Sequence, residues 1–444
     1  MNLEYLKNKK ICLLGLGIEN LSLAKYLARQ GIAVSILDKR SSKELGDRYK
    51  TIKKIKAKFY GGLGYLDKIS NFDVIFKTPG FVGKLERKNN AIITTPMELF
   101  FDLCPAKIIA VTGTKGKGTV ASLCHHALIH SNKKAWLAGN IGKAPFDFID
   151  KLKSDHFVVL ELSSFQLIDF KNRPHIAVVT NLFPEHLAPA DPINPIFHRN
   201  LKEYYAAKAN IFLNQKKENW LVVNKNNHHS ENLLKKTKAR VIFFKANNNL
   251  PRNPHLIGRH NQENIAAACE VAKILKISPK TINCAIENFR SLKHHLEFIA
   301  EINSIKFYND SASTMPQATL AAIRSFEKSV ILIAGGINKG YNLEKFAKDL
   351  LKSPHPITIV LIGRTAKKLF DYFKKMQSKL ENRLSAAYYC GDKNIQEIVR
   401  EAAAMASKEG DIVLFSPGFA SFDMFKNSKD RGEKFKEAVL RLRA

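Results

Sequence analysis

Short apolar runs alternate with helical patterns along almost the whole chain, and this alternation constrains the fold more than any other feature. Runs typical of buried strands occur at 10–14, 34–37, 73–76, 107–111, 157–160, 176–179, 221–224, 305–308, 330–333, 357–362 and 412–415. Helical patterns separate many of them, for example at 21–30 and 261–275. Strands joined through helices pair in parallel, because the crossover returns the chain to the same end of the sheet. The sequence therefore predicts an α/β protein with mostly parallel sheets covered by helices.

Length and composition narrow the class of protein. The chain has 444 residues, which fits three domains of ordinary size, with changes of unit expected near 97–104 and near 296. It is 45% hydrophobic and 25% charged, proportions that exclude disorder, a collagen helix and a coiled-coil rod. No apolar run reaches the ~18 residues that a membrane span needs. Six scattered cysteines without a Cys-x-x-Cys pair fit reduced thiols and predict a cytoplasmic protein.

The formal net charge of +31 is a second constraint on function. A basic chain can attract nucleic acid, membranes or acidic small molecules. The lysines are spread through every region, and no Arg/Lys tract interleaved with aromatic residues occurs. We interpret most of this charge as solvated surface and predict no nucleic-acid partner, while attraction of anionic substrates and nucleic-acid binding stay open as alternatives.

A first glycine loop at 15–20 follows a predicted strand and opens a helix. Backbone N–H groups and a helix N-terminus at that place can hold a phosphate, and Asp38 ends the next strand, where it could meet a sugar hydroxyl. Asn20 replaces the third glycine of the dinucleotide pattern, so a dinucleotide, another nucleotide and a mere tight turn all stay open. The segment 78–80 at a later strand end is either a second phosphate-contacting turn or a strand stop.

A second glycine loop lies between the strand at 107–111 and a helix. Its candidate nucleotide-binding residues are Gly113, Thr114, Lys115, Gly116, Lys117, Gly118 and Thr119. Small residues let backbone N–H groups face the β- and γ-phosphates, while Lys117 supplies a point charge. The alternative is a flexible basic turn, although so many glycines between a strand and a helix would otherwise cost stability.

A nucleotide cradle also predicts an acidic residue at a neighbouring strand end to hold Mg²⁺. Glu161 ends the apolar strand at 157–160 and is the candidate. His186 follows the strand at 176–179. A lone histidine in a loop is usually structural or solvated, but at the carboxyl edge of the sheet that carries Lys117 and Glu161 we interpret it as a site residue.

Several segments resemble the Mur ligase family, and the resemblance covers essentially the whole chain. They lie at 112–117, 161–167, 206–208, 258–264, 309–311 and 416–427, the last with 431–432 behind it. The phosphate loop alone indicates only this family, whereas 161–167 and 421–427 resemble its branch that adds D-glutamate. The resemblance implies a Rossmann-like domain over 1–97 that holds UDP, a central ATP-binding domain over 98–295 and a Rossmann-like domain over 296–444 that brings the amino acid.

The resemblance also implies a reaction. An ATP- and Mg²⁺-dependent ligase, expected to be a cytoplasmic monomer, would add D-glutamate to UDP-N-acetylmuramoyl-L-alanine through an acyl phosphate during peptidoglycan precursor synthesis. The first glycine loop would then serve UDP and not NAD, which settles the ambiguity at Asn20.

The residues that match the family's motifs form four sets. Those implied in catalysis or metal binding are Lys117, Thr119, Glu161, His186 and Lys208, and those implied in ATP binding beyond the loop are Asn261, Asn264, His295 and Asp310. Those implied for the UDP substrate are Ile18, Glu19, Asp38, Arg40, Thr78, Gly80, Asn140 and Ser163, and those for D-glutamate are Thr314, Lys339, Ser421 and Phe422. Lys208 would act as a carbamate, because an ammonium group beside Mg²⁺ would be repelled; without the resemblance it would be interpreted as a lysine on a helix surface.

Four positions depart from the family's pattern. Gly118 lacks the hydroxyl that would bind metal, His295 stands where the family has arginine, Ala312 stands where many members have lysine, and Ala188 replaces an acidic residue. These departures affect the expected charge around the phosphates, but they leave Lys117 in place.

Three rival functions stay open at this point. An NAD-dependent oxidoreductase would rest on the first glycine loop alone and would leave the second unexplained. An NTPase that acts on nucleic acid would need stimulation by DNA or RNA. A sister ligase with another amino acid or a folate-like acceptor would share the phosphate loop, but it should lack the segment at 421–422.

Overall fold

The computed structural model describes residues 1–443 except 82–84, 86–89, 186, 188–196, 228–233, 354, 378–383, 391–392 and 407–410. The chain divides into two compact units. The first consists mainly of Met1–Ala190, Ile196–Asn247 and Glu263–Ala285, and the second mainly of Asn248–Gln262 and Ile286–Ala444. The described residues form two sheets in the first unit and one in the second.

The first sheet occupies the N-terminal part of the first unit. Its strands are β1 (Ile11–Leu14), β2 (Val34–Asp38), β3 (Lys58–Gly61), β4 (Val74–Lys77) and β5 (Ile92–Thr94). They pair in parallel in the order β3-β2-β1-β4-β5. The accompanying helices are α1 (Leu3–Lys7), α2 (Ile18–Arg29), α3 (Ser42–Leu45), α4 (Asp47–Lys54) and α5 (Pro96–Leu103). The strand order reverses beside β1, and open parallel sheets bind ligands at the carboxyl ends of the strands at such a point.

The second sheet contains six parallel strands. They are β6 (Lys107–Thr112), β7 (Ala135–Gly139), β8 (Phe157–Glu161), β9 (Ile176–Val179), β10 (Trp220–Asn224) and β11 (Arg240–Phe244), in the order β11-β10-β9-β6-β8-β7. The helices that follow in the chain are α6 (Lys117–His130), α7 (Ser164–Leu167), α8 (Leu201–Leu213), α9 (Arg259–Ile274) and α10 (Pro279–Asn288). Strand β6, which leads into the second glycine loop, lies between β8 and β9 in the middle of the sheet.

The third sheet lies in the second unit. Its strands are β12 (Glu297–Ile302), β13 (Ile305–Asn309), β14 (Val330–Gly335), β15 (Ile357–Ile362), β16 (Leu384–Tyr389) and β17 (Ile412–Gly418), in the order β12-β13-β17-β14-β15-β16. Among the described strands of this sheet, β12 alone pairs antiparallel. The helices are α11 (Pro316–Ile323), α12 (Leu343–Leu350), α13 (Ala366–Gln377), α14 (Ile395–Ala404) and α15 (Ser428–Leu440). The predicted α/β class with mostly parallel sheets is therefore confirmed.

Each unit has its own hydrophobic core. In the first unit one cluster joins residues of both sheets, including Leu13 of β1 and Val158 of β8. In the second unit the two faces of the sheet carry separate clusters, because alternate residues of β14 point to opposite sides: Leu332 belongs to one cluster and Ile333 to the other. None of the helices that the described residues form is long and apolar enough to cross a membrane.

Candidate active site

The second glycine loop joins β6 to α6, which begins at Lys117. Gly113 and Gly116 have φ angles of +145° and +81°, a region that other residues rarely adopt. A Cβ atom at Gly113 would collide with the Thr180 hydroxyl, and one at Gly116 would collide with the side-chain amide of Asn264. Both positions therefore need glycine for conformation and for space. The resulting turn precedes a helix N-terminus, the arrangement that holds phosphate with backbone N–H groups.

The loop after β9 holds the glycine loop in place. The backbone N–H groups of Thr114 and Lys115 donate to the backbone and side-chain oxygens of Asn181, both at 2.8 Å. Asn181 Nδ2 donates in return to the carbonyl of Lys115 at 3.0 Å. The Thr114 hydroxyl accepts from the N–H of Phe183 at 2.9 Å and lies 3.0 Å from the Tyr204 hydroxyl. These hydrogen bonds between protein groups fix the conformation of the glycine loop.

Two lysines and a buried carboxylate lie around this loop. Lys117 Nζ donates to the carbonyl of Thr114 at 3.0 Å, and Lys208 Nζ, reaching from α8, donates to the carbonyl of Gly113 at 2.6 Å. Glu161 ends β8, the strand next to β6, and is 3% exposed. The lysine and the glutamate that the sequence predicted at neighbouring strand ends are thus brought to the same edge of the sheet.

Burial changes the pKa values of all three groups. It lowers the pKa of Lys117, and attraction to Glu161 offsets part of that effect. Burial and, after it, repulsion from Lys117 lower the pKa of Lys208 to about 7. Burial raises the pKa of Glu161, although the charge of Lys117 and a hydrogen bond from the Asn140 side chain act in the opposite direction. Near neutral pH the amine of Lys208 is therefore available in its neutral, nucleophilic form.

Glu185 is a charged residue of this site that was not predicted from the sequence. It forms an ion pair with Lys115 of the loop, and its side chain is 11% exposed. Its negative charge also raises the pKa values of Lys117 and Lys208. A signal was present, since Glu185 follows the strand beside β6, as the predicted His186 does. His186 itself lies outside the described residues.

The residues around the loop suit a magnesium ion that binds together with nucleotide phosphates. Groups of three or more His, Cys, Asp or Glu side chains that could hold a metal do not occur in the described part of the chain. Mg²⁺ usually keeps several waters and takes one or two carboxylates plus substrate phosphates. Glu161 and the hydroxyl of Thr119, in the first turn of α6, supply oxygen donors of this kind. His186, the predicted histidine ligand, and Ala188, which stands where the family has an acidic residue, both lie outside the described residues.

At the carboxyl edge of the first sheet, Asp38 connects the first glycine loop to Arg40. Its Oδ2 atom accepts from the backbone N–H of Leu16 at 2.6 Å. Arg40 donates from Nε to Oδ1 at 2.9 Å and from Nη2 to Oδ2 at 2.7 Å. Burial acts to raise the pKa of Asp38, but these hydrogen bonds outweigh it and lower the pKa. Asp38 is therefore ionised and fixes the guanidinium group at this edge.

Three other residues predicted to serve UDP lie at the point where the strand order reverses. The side chain of Thr78, which follows β4, packs against the backbone of Gly15 and Gly17 after β1. Ile18 opens α2 and is 67% exposed, and Gly80 is also exposed. An exposed apolar side chain and an exposed glycine therefore lie at the carboxyl edge of this sheet.

A hydrogen bond within the first unit joins the helix after the first glycine loop to the segment after β8. Gln166 Nε2, at the start of α7, donates to Glu19 Oε1 at 2.5 Å. The second carboxylate oxygen of Glu19 is buried without a hydrogen-bond partner among the described residues, and burial raises the pKa of this group. Ser163 caps α7 and accepts from the N–H of Gln166. Asn140 follows β7 and donates its N–H to the carbonyl of Glu161 at 2.9 Å.

In the second unit, Asp310 orders the loops at the carboxyl edge of the third sheet. Its Oδ1 accepts from the N–H of Leu296 at 3.1 Å, and its Oδ2 accepts from the hydroxyls of Ser313 and Ser416 at 2.5 and 2.7 Å. Burial raises the pKa of Asp310 to about 6. Every carboxylate oxygen thus has a protein partner, and a direct contact with ATP stays a prediction.

Arg431, from α15, connects two of the same loops. It is 1% exposed, and burial lowers its pKa to about 10. Its guanidinium group donates to the hydroxyl and the carbonyl of Ser311 at 2.9 and 2.8 Å and to the carbonyl of Phe419 at 3.0 Å. In the sequence Arg431 was noted only as part of a motif; the structure shows that it holds the chain after β13 against the chain after β17.

His295 lies in the turn that leads into β12 and is exposed. The preceding residue, His294, is buried with a φ angle of +65°, which is uncommon for a residue other than glycine. The ring of His294 is hydrogen-bonded to the Asn309 side chain at 3.0 Å. The backbone N–H of His294 donates to the Glu297 carboxylate at 2.8 Å. The surrounding structure therefore fixes the backbone that carries His295.

The remaining predicted residues of the second unit lie near strand ends or on α9. Asn261 is buried and donates its side-chain amide to the carbonyl of Ile257 at 2.8 Å. Thr314 and Lys339 are partly buried after β13 and β14. After β17, Ser421 is buried and Phe422 is 56% exposed. Their predicted ligands, adenine and D-glutamate, stay predictions.

Three mostly parallel sheets, with a lysine-bearing phosphate loop at the edge of the second and a buried carboxylate beside it, define a nucleotide-binding enzyme of the Mur ligase type. The chain belongs to the Mur ligase family. Residues 111–254 match the Mur ligase middle domain.

Curated relatives extend this similarity beyond the middle domain. The chain is 36% identical to UDP-N-acetylmuramoylalanine--D-glutamate ligase of Ruminiclostridium cellulolyticum, over 98% of this chain and 97% of that protein. It is 35% identical to the ligase of the same name from Clostridium tetani, over 99% and 98%.

Solved structures share the fold. MurF from Acinetobacter baumannii aligns with a TM-score of 0.59 and 13% identity, over 94% of this chain and 95% of that chain. MurC from Thermotoga maritima aligns with a TM-score of 0.55 and 17% identity, over 98% and 100%. E. coli FolC in complex with DHPP and ADP aligns with a TM-score of 0.54 and 15% identity, over 78% and 92%.

Proposed function

We propose that this chain is an ATP-dependent ligase that joins D-glutamate to UDP-N-acetylmuramoyl-L-alanine in peptidoglycan precursor synthesis. Similarity to ligases of that name over nearly the full length of both chains supports this reaction. The structural observation that carries it is the cluster of Lys117, Glu161 and Lys208 around the glycine loop. A carboxylate is a poor electrophile, and this cluster offers a place where a triphosphate can activate one.

Catalysis in this proposal is mainly positioning and charge neutralisation. The loop N–H groups cradle the phosphates of ATP, and Lys117 neutralises charge as the γ-phosphoryl group passes from ATP to the alanyl carboxylate, with ADP as the leaving group. The amine of D-glutamate then attacks the carbonyl carbon of the acyl phosphate and loses a proton. Collapse of the tetrahedral intermediate breaks the bond to phosphate and leaves the amide. Lys117 is partly buried, and charges interact more strongly where water is excluded.

Glu161, Thr119, His186 and Lys208 as a carbamate would hold Mg²⁺ with the phosphates. When bound, this ion would offset phosphate charge and orient the γ-phosphoryl group. Carbamylation suits Lys208, because it would replace a buried cation beside Lys117 with an anion. It would convert repulsion between the two side chains into attraction.

The other predicted residues take roles in binding. Ile18, Glu19, Asp38, Arg40, Thr78, Gly80, Asn140 and Ser163 would hold the UDP substrate; Asn261, Asn264, His295 and Asp310 would serve ATP; and Thr314, Lys339, Ser421 and Phe422 would hold D-glutamate. The Asp38–Arg40 pair supports this assignment, because it fixes a cation beside a glycine turn, where a diphosphate can bind. We assign these roles to domains at 1–97, 98–295 and 296–444, in a monomer that works in the cytoplasm.

The reaction can be tested by measuring phosphate release from ATP and Mg²⁺ with UDP-N-acetylmuramoyl-L-alanine. D-Glutamate, L-glutamate and meso-diaminopimelate are compared as amino-acid substrates, and release is expected with D-glutamate only. Release with meso-diaminopimelate instead would indicate a sister ligase. No release with any of the three would disprove the proposed function.

The role of the loop can be tested with Lys117→Ala, which should abolish release while far-ultraviolet circular dichroism stays unchanged. Lys115→Ala is the matched control, since Lys115 is 57% exposed and pairs with Glu185. We expect a loss of roughly 10³-fold at Lys117, the size typical of a group that stabilises transition-state charge, and a much smaller loss at Lys115. Retained turnover in Lys117→Ala would mean that the loop does not bind the reacting phosphates.

A further inference from the structure

We propose that Arg364 selects the amino-acid substrate by binding one of its two carboxylates, beside the predicted residue Lys339. This inference rests on the proposed function, because it concerns the same amino-acid site. Arg364 follows β15 by two residues and belongs to none of the segments that indicated the family. It is an exposed residue whose backbone is fixed at the carboxyl edge of the third sheet.

Three loops meet at this edge, after the neighbouring strands β17, β14 and β15. Thr365 donates its N–H to the carbonyl of Gly336 at 3.1 Å, and the Gly336 N–H donates to the Thr365 hydroxyl at 3.2 Å. On the other side, Ile337 and Ala420 exchange backbone hydrogen bonds of 2.8 and 3.1 Å. The loop that carries Lys339 is therefore tied both to the loop of Arg364 and to the loop of Ser421.

Asp423 fixes the position of Arg364 itself. The N–H of Arg364 donates to Asp423 Oδ2 at 2.9 Å, and the other oxygen, Oδ1, accepts from the N–H of Met424 at 3.1 Å. Gly363 packs so closely that a Cβ atom there would collide with the Asp423 carboxylate and approach Gly336 Cα to 3.0 Å. The backbone of Arg364 is thus anchored, while none of the ion pairs between described residues involves its guanidinium group.

The charges at this edge favour a role for Arg364. D-Glutamate carries two carboxylates, but Lys339 is the only cation among the residues predicted to bind it. One ammonium group leaves the second carboxylate without a matching charge. Arg364 adds an exposed positive charge at this edge and presents the planar fork that binds a carboxylate with two hydrogen bonds. Arg431 cannot substitute, because it is buried and its guanidinium group already donates to Ser311 and to the carbonyl of Phe419.

The test measures steady-state kinetics of Arg364→Gln and Arg364→Lys with all three substrates. We expect KM for D-glutamate to rise roughly tenfold to hundredfold in Arg364→Gln, the loss typical of a hydrogen-bonded charge pair, with a smaller rise in Arg364→Lys. KM for ATP and for UDP-N-acetylmuramoyl-L-alanine should stay within about twofold. Lys367→Gln, which removes a charge from an exposed position three residues later, is the matched control and should leave all three KM values unchanged.

Substrate analogues identify the carboxylate. D-Glutamine lacks the side-chain charge, and D-isoglutamine lacks the α-carboxylate charge. In Arg364→Gln the preference for D-glutamate over one of these two should fall by the factor by which KM rises. An unchanged KM for D-glutamate together with unchanged preference over both analogues would overturn the inference and leave the function intact. Absence of any release with D-glutamate in the wild type would instead disprove the function, and the inference with it.

Discussion

Lys208 combines burial with a second positive charge close by. It is 2% exposed, lies near Lys117, and its Nζ atom donates to a backbone carbonyl of the phosphate loop. Burial and repulsion from Lys117 disfavour the ammonium form, and they outweigh the charges of Glu185 and Glu161 and the Tyr204 ring, whose centroid lies 4.8 Å from Nζ. A modification that makes this side chain anionic would remove the conflict, which is the physical basis for expecting a carbamate.

Lys208→Arg should therefore be inactive, although it keeps the positive charge. Arginine is always protonated and cannot form a carbamate. We expect phosphate release to fall at least ~100-fold, as for loss of a group that stabilises transition-state charge. Lys202→Arg, at an exposed position of the same helix, is the matched control. Activity of the wild type should also fall in buffer depleted of CO₂ and recover with bicarbonate; a fully active Lys208→Arg enzyme would exclude the carbamate.

Asp310 predicts a pH dependence of stability with an unusual sign for a carboxylate. Its pKa is raised from 3.8 to about 6 by burial, so the folded chain holds this proton more tightly than the unfolded chain does. The stabilisation is fully present below about pH 4 and is lost as pH rises through 6. A difference of this size corresponds to ~3 kcal/mol in the free energy of unfolding.

Denaturant unfolding of the second unit between pH 4 and 7 measures this effect. In Asp310→Asn the fall in stability across that range should be smaller than in the wild type by up to ~3 kcal/mol. Asp349→Asn is the control, because Lys345 and Lys352 lower the pKa of Asp349 to about 2 and it does not titrate in this range. Parallel pH profiles for the wild type and Asp310→Asn would show that the carboxyl group is not perturbed.

Part of the site could be predicted residue by residue. Carboxyl ends of neighbouring parallel strands meet at one edge, so the end of an apolar strand was enough to place Glu161 beside Lys117. Glu185 and Tyr204 were missed, because their contacts with the glycine loop depend on how a later loop and helix pack against it. Arg431 was noted without a role for the same reason. Two of its three acceptors belong to Ser311, 120 residues earlier in the chain, and the third belongs to Phe419, 12 residues earlier.

At the scale of elements, the apolar runs predicted interior strands and missed edges. All eleven strands predicted from the sequence lie inside a sheet, and the six that were missed, β3, β5, β7, β11, β12 and β16, are the edge strands of the sheets that the described residues form. Interior parallel strands are covered on both faces and therefore consist of continuous apolar residues. Edge strands such as Lys58–Gly61 and Arg240–Phe244 are mostly exposed or half-buried, so they lack this signal.

The phosphate loop is the element whose shape most directly determines function. Gly116→Ala should combine left-handed backbone strain of about 1–2 kcal/mol with a collision against Asn264. Gly31→Ala is the matched control, since Gly31 has a φ angle of +73° but open space at the Cβ position. Both variants should lose stability to backbone strain, and Gly116→Ala should lose more because of the collision, but calorimetry should show at least ~10-fold weaker binding of ATP with Mg²⁺ only for Gly116→Ala. Equal nucleotide affinity in the two variants would contradict this role.

At the scale of the whole molecule, the distribution of hydrophobic cores bears on the predicted domains. The predicted boundary at residue 97 falls within one compact unit, and residues beyond it pack into the same cluster as the first sheet. Phe100 of α5 is fully buried, with its ring 5.9 Å from that of Phe146 and 6.2 Å from that of Phe148. Two sheets that share a core should lose their structure together, even where they bind different substrates.

Thermal unfolding should therefore show two cooperative transitions and not three. Each unit has its own clusters, and Phe435, fully buried and stacked on Phe415 at 4.5 Å, is the counterpart of Phe100 in the second unit. Phe100→Ala and Phe435→Ala should each cost ~3–5 kcal/mol in the unit that contains the cavity. Differential scanning calorimetry should show Phe100→Ala lowering the midpoint of one transition and Phe435→Ala lowering the other. A third transition, or a single transition lowered by both substitutions, would show that the cores do not define the folding units.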